Sequence, residues 1–156
     1  QPVAGCSEVI NMKIVQSMKW DGWAQSCLRS KQPGMVCGKC WKCFRKNSLL
    51  GLPFQFAGEI ETFLGTRPLK QTASTIYSIQ KGGVSEKGID ILETFPDLKP
   101  IANLDFDLLT RYYPPANELL PLRYRNFSSK KLAKYAKPMT DADIDFLHSI
   151  DFYPSD

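Results

Sequence analysis

Residues 27–43 read CLRSKQPGMVCGKCWKC and hold four of the five cysteines of a 156-residue chain. Two overlapping C-x-x-C pairs, Cys37/Cys40 and Cys40/Cys43, close the run, and Cys27 precedes them across Pro33-Gly34, a turn signal that lets the chain double back. Two residues between cysteines let both sulfurs reach one ion. The spacing therefore points to a metal held by Cys27, Cys37, Cys40 and Cys43. Four thiolates around Zn²⁺ leave no position for water, which makes the ion structural rather than catalytic. Three other readings stay open: an iron–sulfur cluster, two disulfides and unbound thiols. The ferredoxin run continues to a further Cys-Pro that is absent after Cys43. Disulfides at this spacing would close strained, very small loops.

The flanks of this run are basic. Arg29, Lys31, Lys39, Lys42, Arg45 and Lys46 lie between residues 28 and 47 with no acid among them. They offset the charge of four thiolates and are expected to lower the thiol pKa values. They are also the candidate contacts for an anion or a nucleic acid, with Trp41 as a stacking surface. Cys6 stands apart from the cluster and reads as a small buried hydrophobe.

Working outward, 43% hydrophobic and 12% aromatic residues describe a chain able to bury a core, and a net charge of +4 is too mild by itself to argue for nucleic acid. No apolar run approaches the roughly 20 residues of a membrane span, and no signal peptide is visible. Clustered cysteines without a secretion signal suit a reducing, cytoplasmic setting. The abrupt start at Gln1 suggests a piece of something longer.

Residues 7–18 predict a helix with Ser7 as N-cap, Glu8 in its first turn and Ile10, Ile14, Val15 and Met18 on one face. Trp20 and Trp23 flank a turn at Asp21-Gly22. Phe44, Leu49 and Leu50 begin a second short helix that stops at Gly51 and Pro53. Beyond it, Gly and Pro divide helical windows at 57–65, 69–80, 86–95, 104–113, 128–137 and 140–152. Thr140 and Asp143 fit a capping box, with Ile144, Leu147 and Ile150 as the buried face. The fold class is thus mostly α with a Cys₄ knuckle. Residues 1–53 form the helix and knuckle region, and 54–156 a helical extension packed in the same domain and available to a protein partner.

Residues 122–138 hold six basic residues and no acidic ones, and residues 139–156 hold five acidic residues and no Lys or Arg. The main reading is two solvated faces that attract one another. The alternative is a basic strip for phosphate or nucleic acid, with Tyr124, Phe127 and Tyr135 interleaved. No catalytic residue emerges. His148 is a lone histidine on the acidic last helix, and Asp105/Asp107 and Asp143/Asp145 stand two apart.

Residues 2–50 resemble the C-terminal end of the 7-cyano-7-deazaguanine synthases, a branch of the PP-loop ATP-pyrophosphatases. The likeness rests on Pro2 through Gly5, the helix INMKIVQSM, Ser26-Cys27, then Cys37-Gly38-Lys39-Cys40 and Cys43, followed by Arg45 and Lys46. It implies that Cys27, Cys37, Cys40 and Cys43 bind a structural zinc. It also implies a larger α/β, Rossmann-like protein whose ATP-binding part, with its S-G-G-x-D-S loop, precedes this stretch; no such loop occurs here. ATP would belong to that longer protein, and this chain alone would be catalytically silent. The alternative function is a zinc-knuckle module that binds nucleic acid or protein.

Overall fold

The computed structural model describes residues 5–20, 23, 27, 30, 35–56, 58–83 and 85–152. Among them lie seven α-helices and no strand: α1 (Glu8–Ser17), α2 (Trp41–Leu50), α3 (Glu59–Leu64), α4 (Thr72–Lys81), α5 (Ser85–Glu93), α6 (Leu122–Leu132) and α7 (Asp141–Ser149). Two 3₁₀ turns, Asp107–Thr110 and Pro114–Leu119, join α5 to α6. No helix among the described residues is long and apolar enough to cross a membrane.

Local chemistry explains most of the ends. The Ser7 hydroxyl accepts from the Ile10 amide and opens α1. α2 stops where Gly51 turns left-handed at φ 66°, a conformation that glycine reaches at little cost. Thr140 and Asp143 close a reciprocal capping box at the start of α7. The expected helix at 104–113 shrinks to the turn Asp107–Thr110: the Asp105 carboxylate takes the Asp107 amide at 2.9 Å, and Pro114 blocks continuation. The expected helix at 128–137 begins instead at Leu122 and ends at Leu132.

α2 is the central element. It packs most extensively on α4 and also meets α1 and α3. Phe44 is fully buried and meets Phe54 and Phe56 edge-on, with ring centroids 5.4 and 5.9 Å away. α4 and α5 approach so closely that a Cβ on Gly88 would sit 2.6 Å from the Ile79 side chain. A single hydrophobic cluster takes Val9 and Phe44 together with Ile60, Ile76, Leu92, Phe106 and Met139, so 1–53 and 54–156 share one core. In α1 the buried residues are Val9, Ile10 and Met12, whereas Met18 is exposed and Ile14 and Val15 only half-buried. The face expected there is therefore rotated. Ile144, Leu147 and Ile150 do pack on the core, joined by Phe146.

Candidate metal centre

The cluster is assembled from a loop and a helix start. Cys40 is the N-cap residue of α2, and Cys43 lies in its first turn. Cys37 precedes them across Gly38, whose φ of 70° turns the knuckle. The Cys37 amide points at the Cys27 sulfur, 3.5 Å away, and ties the distant ligand to the knuckle. The Gly38 carbonyl accepts from the Gln55 amide at 2.9 Å, which fixes the loop against the segment after α2.

The four sulfurs lie within 4.8 Å of one another. Cys40 and Cys43 are 3.5 Å apart, Cys37 and Cys43 3.7 Å, and Cys27 and Cys40 3.9 Å. A tetrahedron with metal–sulfur bonds near 2.3 Å has an edge of about 3.8 Å. The spacing therefore fits one metal ion. It is far beyond a disulfide bond of about 2.05 Å, and all four cysteines are free thiols. Among the described residues no other group of cysteine, histidine or carboxylate side chains comes together in this way.

The electrostatics of the thiols run opposite to the expectation. The basic flank was expected to depress the thiol pKa values. Burial instead pushes the Cys40 thiol up and the Cys43 thiol up to about 12, opposed by backbone hydrogen bonds from Cys43 and Gly38 respectively. Both cysteines are almost completely buried. Buried thiols stay neutral unless a cation sits among them, and a divalent ion would drive off their protons as it binds.

The basic flank is spent elsewhere. Arg45 is 4% exposed and pairs with Glu8 of α1 at 3.3 Å. It also donates to the Gln71 side-chain oxygen, and its guanidinium lies 4.7 Å from the Trp41 ring centroid. Burial lowers the Arg45 pKa, and Glu8 opposes that shift. The Trp41 ring also stacks on Phe63, with centroids 5.1 Å apart. Arg45 as an anion contact is thus corrected: it is consumed in tying Glu8 and Gln71 to α2, while Trp41 is half-buried beside Phe63 of α3. Lys46 is half-buried, and its pKa is lowered by burial. Lys42 lies over Trp41, and Lys39 alone of the four is fully exposed. Arg29 and Lys31, like the turns at Asp21-Gly22 and Pro33-Gly34 and the residues Pro2 and Ser26, lie outside the described residues. The Glu8–Arg45–Gln71 junction was invisible in the sequence, because its members stand 37 and 26 positions apart. Cys6 is half-buried, and burial raises its pKa. His148 is exposed, with its Nε2 3.0 Å from the Tyr113 hydroxyl.

These features define a mostly helical protein with a four-cysteine centre able to hold one metal ion. The chain belongs to a family of unknown function, DUF6395, whose model matches residues 1–51 and 54–151. No curated protein and no solved structure matched it.

Proposed function

We propose that Cys27, Cys37, Cys40 and Cys43 hold a structural zinc ion, and that this chain is the zinc-stabilised C-terminal part of a PP-loop ATPase similar to the 7-cyano-7-deazaguanine synthases. The carrying observation is the gathering of the four sulfurs within 4.8 Å, with three separations of 3.5, 3.7 and 3.9 Å near the edge of a one-ion tetrahedron. Zinc is favoured over other ions because four thiolates, two of them buried, form a closed shell that suits a redox-inert ion in a structural role. A [4Fe–4S] cluster places its four cysteines on separate irons, which spreads the sulfurs beyond the edge of a one-ion tetrahedron. The synthase-like reading draws support from the C-G-K-C-x-x-C run with Arg45 two residues further on.

In this reading ATP activates a carboxyl-type substrate and an amine displaces AMP, at a site in the preceding part of the protein. The zinc centre pins the loop from Cys27 onto α2, and α2 organises the helical part through α1, α3 and α4. Metal analysis of the purified chain should return one zinc per molecule and no visible absorbance. Iron, or no metal, overturns the zinc assignment. Sequencing upstream of Gln1 tests the family reading separately. An S-G-G-x-D-S stretch there, with pyrophosphate release from ATP by the full natural chain, supports it, and its absence overturns it.

A further inference from the structure

We propose that the outer face of α6 binds single-stranded nucleic acid. The helix is 11 residues long, buries none of its side chains and contributes nothing to the hydrophobic cluster. It is attached through its inner side only: Arg125 donates to the Leu120 and Glu118 carbonyls, and Asn117 donates to the Ser129 hydroxyl. Helices of this length are marginal in water without a packed face.

What points outward is chemically consistent. At 100° per residue, Arg123, Tyr124, Phe127, Lys130 and Lys131 fall within a sector of about 120°, and Lys134 follows just past the helix end. Tyr124 is 48% and Phe127 62% exposed. Leu119 and Leu122, both more than three-quarters exposed, flank the start of the helix. Between the helix and the preceding turn runs an open groove of about 450 Å³, lined by Leu120, Pro121, Tyr124, Phe127 and Leu132, with Lys131 at its side.

The cations of this strip are unpaired. Elsewhere in the molecule Arg45, Arg67, Lys81 and Arg111 each pair with a carboxylate. Among the described residues Arg123, Lys130, Lys131, Lys134 and Lys137 make no ion pair, with Glu118 or with α7. Of the acidic end, Asp143 of α7 pairs with Arg111 rather than with this strip.

The arrangement selects the partner. A helix that lies on a membrane surface needs apolar and charged residues on opposite faces. Here they alternate on one face. The Arg123 guanidinium lies 4.7 Å from the Tyr124 ring centroid, and the Lys131 ammonium 5.4 Å from that of Phe127. A single strand presents a phosphate and a flat base in the same alternation, and aromatic rings beside cations take it without regard to sequence.

Fluorescence anisotropy with labelled 15-nucleotide poly-dT and poly-U tests this on the 156-residue chain. Binding is expected with a log–log salt slope of about −3, at about −0.7 per phosphate neutralised. Phe127→Ala is expected to weaken binding about tenfold at unchanged slope, and Lys130→Ala with Lys131→Ala to flatten the slope by about 1.4. Lys99→Ala, at an exposed lysine between α5 and the first 3₁₀ turn, is expected to change neither. The substituted side chains are exposed, and circular dichroism checks that each variant folds. No binding at about 50 mM salt overturns the proposal. So does equal binding to a duplex or heparin with Phe127→Ala silent, and so does binding to an acidic amphipathic peptide or anionic vesicles in place of the oligonucleotides.

Discussion

Residues 37–50 and 119–137 are alike in composition and opposite in fate. Both are basic, both carry exposed-type aromatics and neither contains an acid in its helix. Around α2 the arginine and tryptophan are drawn inward: Arg45 is buried against Glu8 and Trp41 stacks on Phe63. On α6 their counterparts Arg123 and Tyr124 face solvent, paired only with each other. A basic-aromatic run therefore does not declare itself as a surface. What separates the two cases is whether a carboxylate arrives from a distant part of the chain. Glu8 reaches Arg45, and among the described residues no carboxylate reaches Arg123.

The largest test of this contrast removes the anchor of the first region. Cys43→Ser is expected to abolish metal binding and loosen the loop from Cys27 onto α2. A ligand held a thousandfold above its Kd contributes about 4 kcal/mol. For a chain of this size that corresponds to a fall in Tm of about 8–16 °C by calorimetry. Chelation of the unaltered chain should reproduce the shift, and a shift of less than about 2 °C would show that the centre carries no structural weight.

Arg45→Ala comes next. Breaking a buried ion pair from one side costs about 3–5 kcal/mol, because Glu8 is left without its counter-charge. Arg123→Ala, at the corresponding place in the second region, is expected to stay within about 0.5 kcal/mol. Urea denaturation of the two variants side by side measures the comparison directly. Equal losses would mean that α6 is packed as tightly as α2. Gly88→Ala should fall between them, at about 1–3 kcal/mol, since its methyl group would press on Ile79 where α4 and α5 meet.

The same contrast explains how much was legible beforehand. The metal centre was readable because its logic is local: three ligands within seven residues, and a fourth across a turn signal. α7 was readable because a capping box and an apolar stripe agree on its bounds. α6 was misplaced by six residues at its start because no apolar stripe exists there to find. Its arginines and aromatics alternate, and periodicity locates only helices that bury a face. The inner face of α1 was rotated for a related reason. Val9 joins a core whose other members lie far along the chain and Met12 is buried, whereas the spacing alone favoured Ile14 and Met18. In the sequence Arg45 and Trp41 read as a surface because Glu8, Gln71 and Phe63 lie far along the chain, and no short window contains both partners.

The smallest effect concerns the carboxylate that declines to join α6. Asp143 accepts from the Thr140 amide, the Thr140 hydroxyl and Arg111. These contacts, the Thr140 backbone bond foremost, hold its pKa below the ordinary 3.8. A depressed carboxylate stabilises the folded state above its unfolded pKa and loses that contribution as pH falls through the folded value. Stability should therefore decline below about pH 4 as the unfolded chain takes up the proton first. Asp143→Asn should flatten that limb and cost about 1 kcal/mol or less at neutral pH, since Arg111 is substantially exposed. If Asp143 instead served α6, the variant would alter salt-dependent binding at the Arg123–Lys134 face. The expected result is an altered acid limb in denaturation curves with oligonucleotide affinity unchanged, which would place the acidic helix in the service of the core and leave the cations of α6 to a partner.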